Sequence, residues 1–235
     1  MPVIKGLQKT TLVDYPGKIA ATIFTAGCNF RCVFCHNTLL VKNNQADGLP
    51  VIDENELLEY LRGRTRQLDG ICISGGEPTL HADLPEFIRK IKEIGYAVKL
   101  DTNGTNPEML EKLLRENLLD YAAMDIKGPL ELYPRIANTE VDTAKISRSI
   151  DLLRQSGIPY EFRTTVLPAF LAEKEFASMA SLLNGTECYY LQQFHAGEHL
   201  LNPEYSHAGA YTSGQLNLFA RQFEPFVKKV AVRGA

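Results

Sequence analysis

Residues Gly70-Ile71-Cys72-Ile73-Ser74-Gly75-Gly76-Glu77-Pro78, followed by Asp83-Leu84-Pro85-Glu86, compress a strand, a loop and a helix start into one short stretch. The apolar run at 70–74 is too short for a helix and rich in isoleucine, which predicts a buried strand; the glycine pair ends it. Asp83 at the cap position, with Pro85 and Glu86 in the first turn, starts a helix. Phe87, Ile88, Ile91 and Ile94 then recur at helical spacing as far as Gly95.

The same unit recurs in both directions. Upstream, 19–26 reads as a strand closed by Gly27, and Asp53 caps a helix that carries Leu57, Leu58 and Leu61 to Gly63. Downstream, strands are expected at 96–101, 119–126, 160–167 and 187–194, with helices at 106–117, 143–157 and 173–183 between them. A last helix at 212–223 and a partly basic strand at 227–232 follow. Strands alternating with helices imply right-handed crossovers and a parallel sheet. About six units point to an α/β fold, a partial (β/α)6 TIM-like barrel of parallel strands with outer helices. A Rossmann sheet is disfavoured, because no G-x-G-x-x-G follows the first strand. With no linker and no low-complexity segment, residues 1–235 read as a single domain, its core about 19–195 and a C-terminal extension at 196–235.

Composition narrows the function classes. The 235 residues are 45% hydrophobic and 23% charged, long enough for a full core. A net charge of -3 with pI near 6.0 gives no electrostatic reason to expect nucleic acid or an anionic membrane as a partner. Residues 1–14 lack a basic segment followed by an apolar one, and no run approaches the roughly eighteen apolar residues of a membrane span, so a cytoplasmic protein is expected.

Three of the five cysteines stand together, in Cys28-Asn29-Phe30-Arg31-Cys32-Val33-Phe34-Cys35-His36-Asn37, just past the first strand. Three close thiolates can ligate three irons of a four-iron cluster and leave the fourth without a protein partner. A zinc site is the alternative; it normally closes four ligands in paired C-x2-C spacing, which only Cys32 and Cys35 share, and His36 follows Cys35 too directly for a relaxed tetrahedron. Cys72 and Cys188 sit in apolar runs and read as small buried hydrophobes.

In a parallel barrel the residues just past each strand share one face. They include Ser74, Gly75, Gly76 and Glu77 after the second strand, where glycines let backbone approach a ligand and Glu77 either meets an ammonium or orders the turn. Asp101-Thr102-Asn103-Gly104 follows the third, and Asp125-Ile126-Lys127 the fourth. Asp101 and Asp125 would repel unless a cation or protons lie between them, or Lys127 neutralises them. Arg163-Thr164-Thr165 lies in the fifth strand, and His195 closes the sixth. His199 and His207 read as solvated loop residues, and Arg62, Arg64 and Arg66 either as solvated charges at a helix end or as a dock for an acidic partner.

These motifs together resemble the radical S-adenosylmethionine enzymes: Cys-x3-Cys-x2-Cys with an aromatic before the last cysteine, then Gly-Gly-Glu-Pro after the next strand. Cys35-His36-Asn37, Asp101-Thr102-Asn103-Gly104 and Asp125-Ile126-Lys127 resemble the glycyl-radical-enzyme activases among them. The segments Gly6 to Gly17 and Phe24 to Cys32 are similar to anaerobic ribonucleoside-triphosphate reductase activating proteins. The resemblance is strong to about Lys127 and thinner beyond His195.

The resemblance implies a [4Fe-4S] cluster on Cys28, Cys32 and Cys35, with S-adenosyl-L-methionine chelating the open iron. Reductive cleavage would give a 5′-deoxyadenosyl radical that takes a hydrogen from a glycine of a partner enzyme, anaerobic ribonucleotide reductase foremost. By motif match, the backbone at Phe34 and Cys35 would lie along the adenine with His36 near the cofactor. Gly75, Gly76 and Glu77 would hold the methionine amino end, and Asp125, Lys127 and His195, with Ile126 between them, its carboxylate or ribose. Asp101, Thr102 and Asp125 could frame a monovalent cation. The expected reductant is a flavodoxin or ferredoxin. Competing readings are an activator of a pyruvate formate-lyase-like enzyme, a radical enzyme acting on a small molecule, and an electron-transfer or structural metal protein without catalysis.

Overall fold

The computed structural model describes residues 2–41, 48–197 and 200–234. In chain order they form β1 (Ile4–Thr11), β2 (Ala20–Thr25), α1 (Thr38–Val41), α2 (Glu54–Arg62), β3 (Gly70–Gly75), α3 (Leu84–Ile94), β4 (Ala97–Thr102), α4 (Pro107–Arg115), β5 (Tyr121–Asp125), α5 (Tyr133–Ala137) and α6 (Thr143–Gln155). After these come β6 (Tyr160–Val166), α7 (Glu173–Leu182), β7 (Thr186–Gln193), α8 (Ser213–Arg221) and β8 (Val227–Arg233). The eight strands make one sheet in sequence order; β1 is antiparallel to β2 and every later neighbour pair is parallel. The expected open barrel is therefore present, extended by one strand at each edge.

Two kinds of signal place the helices. Asp53 caps α2 by accepting from Asn55 N at 2.8 Å and Glu56 N at 3.2 Å, and Asn106 caps α4 by accepting from Met109 N at 3.2 Å. Asp83 makes no such side-chain cap, and α3 begins instead on Pro85 within its first turn. The edge strand β1 was not expected, because its Lys5, Gly6, Gln8 and Lys9 break up the apolar run that marks a buried strand.

Register separates the two faces of the sheet. Ile71, Ile73, Val98, Leu100, Ala122, Met124 and Phe162 are fully buried in the apolar core beneath the helices. Between them, facing the other way, the pairings align Thr22 with Cys72, Cys72 with Lys99, and Asp125 with Arg163. The inner face is thus polar where the outer is apolar. Cys72 is fully buried, as read from the sequence, though on the inner face with Lys99 Nζ 3.7 Å from its sulfur; the reading of Cys188 is corrected, since it is only half-buried there. No helix among the described residues is long and apolar enough to cross a membrane.

Candidate active site

The cysteine loop leaves β2 through Ala26 and Gly27 and is pinned on four sides by backbone hydrogen bonds. Gly27 N donates to Leu40 O at 2.6 Å, Arg31 N to Ala137 O at 2.8 Å, Glu77 N to Gly27 O at 2.8 Å, and Leu201 N to Cys35 O at 3.0 Å. Asn202 N adds a bond to Val33 O at 3.2 Å. Helices α1 and α5, the loop after β3 and the segment after β7 all converge on it, so the C-terminal extension helps to build the site.

The glycine pair serves this clamp. Gly76 N donates to Thr25 O at 2.9 Å, and a Cβ on Gly76 would lie 2.0 Å from Gly27 O; Gly75 has φ +123° and a Cβ there would lie 2.3 Å from Thr25 O. Only residues without side chains let the two loops touch at these points. Glu77 is likewise turned inward. Its fully buried carboxylate accepts from Thr79 N at 3.1 Å, Thr102 Oγ1 at 2.7 Å and Asn103 N at 2.6 Å, and also from Thr79 Oγ1. Burial pushes its carboxyl above the usual range while these four donors pull the other way. Of the two roles open to Glu77, ordering the turn is the one seen.

A cavity of about 320 Å³ opens beside the loop. Cys28, Cys32, Phe34, Cys35 and His36 line it from the cysteine loop, Ser74, Gly75, Gly76 and Glu77 from the loop after β3, and Asp101, Thr102, Asp125 and Lys127 from β4 and β5. Two expected members stand apart: Ile126 is buried in the core, and His195 is exposed at the end of β7, where it faces the position of Gly234. Asn103, Arg163 and Thr165, named in the strand-end motifs but given no role there, also line the cavity, as does Gln192, which the sequence reading left out. The two latter follow from strand alternation, since Thr165 and Gln192 are register partners on the inner face. Away from the site, Arg62 pairs with Glu59, Arg64 lies against the Tyr60 ring and His207 is an exposed loop residue; His199 falls outside the described residues.

The carboxylates of the cavity are neutralised by side chains. Arg163 Nε donates to Asp125 Oδ1 at 3.0 Å while its Nη1 reaches Asp101 Oδ2 at 3.4 Å, so one guanidinium bridges both. Lys99 closes on Asp101, and Lys127 Nζ on Asp125 at 3.2 Å. Burial opposes ionisation of Asp125, but Lys127 and Arg163 outweigh it and bring the carboxyl down to about 2; Asp101 is lowered against burial by Arg163 and Lys99. Lys127 holds its charge against burial through Asp125 and lies 5.8 Å over the Phe34 ring. The place between Asp101 and Asp125, where a monovalent cation was one possibility, is thus served by arginine and lysine.

All three loop cysteines are free thiols, and burial pushes each above the ordinary thiol range, Cys28 to about 12. Left alone they stay protonated; metal binding must displace those protons. Their surroundings suit sulfur-ligated iron: Phe30 N donates to Cys28 Sγ at 3.3 Å, and Asn103 Nδ2 stands 3.9 Å from the same atom. The remaining cavity wall, with an ammonium, a guanidinium, two carboxylates and an aromatic ring, suits a zwitterionic, heteroaromatic molecule such as S-adenosylmethionine.

Thiols at the carboxyl end of the first parallel strand, facing a polar cavity built from the next five strands, define a barrel protein whose donor set suits an iron–sulfur cluster. The Radical SAM superfamily model matches residues 22–182, more than half of the chain. The chain belongs to the radical SAM superfamily, whose members use a [4Fe-4S] cluster and S-adenosylmethionine. It is 35% identical over 197 residues to a Methanocaldococcus jannaschii protein named as a candidate glycyl-radical enzyme activating enzyme, covering 82% of this chain and 80% of that one. A second protein of that organism with the same description is 29% identical over 176 residues, which is 64% of its length. Among solved structures, a domain of a pyruvate-formate lyase-activating enzyme from Bacteroides vulgatus superimposes with a TM-score of 0.57 at 17% identity, over 70% of this chain and 99% of that one. Streptococcus suis SuiB bound to S-adenosylmethionine gives 0.66 at 12% identity, over 88% of this chain and 48% of that one. At these identities the structures speak for the fold.

Proposed function

We propose that this protein is an activating enzyme for a glycyl-radical enzyme, and that its target is an anaerobic ribonucleoside-triphosphate reductase. The observation that carries the class is the 35% identity, across four-fifths of both chains, to a relative described in those terms. The choice of target rests on the motifs from Gly6 to Gly17 and Phe24 to Cys32. An activator of a pyruvate formate-lyase-like enzyme is the second reading, favoured by the fold likeness to such an activase.

When bound to Cys28, Cys32 and Cys35, the cluster would supply the one electron that splits S-adenosylmethionine into methionine and a 5′-deoxyadenosyl radical able to take hydrogen from a glycine Cα. The residues of the chain bind, orient and shield. Cys28, Cys32 and Cys35 hold the cluster, and buried Phe30, Val33 and Phe34 keep water from it. Lys127 and Arg163 offer the cationic wall for a carboxylate, Asp101 and Asp125 fix those cations in place, and His36 borders the cluster side. Gly75 and Gly76 hold the loop after β3 against the cysteine loop, so the two walls of the cavity are joined directly through backbone. A flavodoxin or ferredoxin is the proposed electron donor.

Anaerobic incubation of the iron-loaded protein with S-adenosylmethionine, dithionite and an anaerobic ribonucleoside-triphosphate reductase is expected to give a glycyl-radical doublet on the reductase by electron paramagnetic resonance. A doublet formed only on a pyruvate formate-lyase would transfer the assignment to the second reading. Deoxyadenosine without a radical on either partner would move it to a small-molecule substrate.

A further inference from the structure

Between the loops after β3 and β4 runs a hydrogen-bonded chain that the reaction as described does not use. Asn103, 6% exposed, is its centre. Its side-chain carbonyl accepts from Thr105 N at 3.0 Å and Thr105 Oγ1 at 2.7 Å. Its amide donates to Asn29 Oδ1 at 2.9 Å and has its second hydrogen for Cys28 Sγ at 3.9 Å. Asn29 is fixed in turn, donating its own amide to Thr105 Oγ1 at 2.8 Å, and Asn103 N donates to the Glu77 carboxylate at 2.6 Å.

This arrangement leaves the Asn103 amide one orientation. Turning it over would set its nitrogen against two donors from Thr105 and its oxygen against the oxygen of Asn29, leaving the buried Asn103 amide unpaired. The NH2 group is therefore held toward Cys28 by partners other than Cys28 itself. A backbone amide already serves Cys28, Phe30 N donating to its sulfur at 3.3 Å. Asn103 adds a donor that a substitution can remove.

We propose that Asn103 is a positioning residue for the electron-transfer step: its amide hydrogen bonds to the Cys28 thiolate and raises the reduction potential of the cluster. The proposal rests on Cys28 being a cluster ligand. A thiolate accepts more strongly than a thiol, so the contact tightens once iron has replaced the proton. Adding an electron to the cluster increases negative charge on its sulfurs, and a fixed donor stabilises that reduced form more than the oxidised one. Losing the donor lowers the potential and makes the cluster harder to reduce.

The test is a potentiometric titration of the full-length, anaerobically reconstituted protein without S-adenosylmethionine, read from the signal of the reduced cluster. Asn103→Ala is expected to keep its iron and lower the reduced-to-oxidised ratio at a fixed potential about tenfold, which for one electron is about 59 mV. Asn103→Asp, of the same shape but with a carboxylate in place of the donor, is expected to lower it at least as far. A midpoint equal to wild type in iron-replete variants overturns the proposal, since a purely structural residue would alter iron content or melting temperature alone. If neither variant retains iron, Thr105→Val decides it: the Asn103 side chain and the backbone N–H of residue 105 stay, but the hydroxyl that donates to Asn103 and accepts from Asn29 is lost, and an unchanged potential there also refutes the role. Failure of the wild type itself to take up four irons would count against the cluster, not against Asn103.

Discussion

Arg163 shows how much of the site depends on one side chain reaching across strands. It stands on β6 yet joins Asp125 on β5 and Asp101 on β4, two carboxylates that the inner face brings together and that would otherwise repel. Arg163→Met leaves Lys99 and Lys127 to neutralise them alone; breaking such a largely buried ion network is expected to cost about 3 kcal/mol in urea unfolding. The same network sets the acid limb of stability. Asp125 titrates near 2 in the folded chain against 3.8 when unperturbed, and Asp101 is lowered as well, so their contribution is fully present above about pH 4. It is lost as the pH falls toward 2; in Arg163→Met, whose folded-state carboxyls lie closer to 3.8, the loss should be smaller and complete at higher pH, measured by denaturant midpoints across a pH series. The thiols at 28, 32 and 35 were legible in the sequence because their spacing is local. Arg163 and Asn103 were not, because what they touch lies 38 and 75 residues away.

At the scale of elements, the loop after β3 and the cysteine loop behave as one unit. Gly-Gly-Glu-Pro reads from sequence either as a tight turn or as a site; Gly75 and Gly76 line the cavity and are also required by contact with the backbone of Thr25 and Gly27, and Glu77 ties the loops after β3 and β4 together. Gly76→Ala would place a Cβ against Gly27 O, and neither backbone has room to yield without shifting the cysteines. A destabilisation of about 3 kcal/mol is expected, with faster loss of iron to a chelator than in wild type, followed by calorimetry and iron-release kinetics. Helix and strand positions were mostly legible, because caps and apolar spacing are local signals. The exceptions have physical causes: β1 is a mixed-composition edge strand, α1 and α5 are too short to show a period, and the clamp of Leu201 and Asn202 on the cysteine loop is a backbone contact with no side-chain signature.

For the whole molecule, strand alternation does two jobs at once. Apolar residues face the helices and supply the core, while the intervening positions make a polar inner face that ends in the cavity. The sequence shows the open barrel through its repeated strand and helix units, but the polarity of the inner face is spread over six strands and emerges only from their register. His195 illustrates the limit: its place at a strand end was predicted, and its side chain lying against Gly234 rather than along the cavity was not. The central claim is that three thiols hold a cluster that S-adenosylmethionine joins. It is tested most directly by counting iron after anaerobic reconstitution and then adding dithionite and S-adenosylmethionine. The account predicts about four irons per chain and formation of 5′-deoxyadenosine, both lost in Cys32→Ala. A single bound zinc with no deoxyadenosine would contradict it.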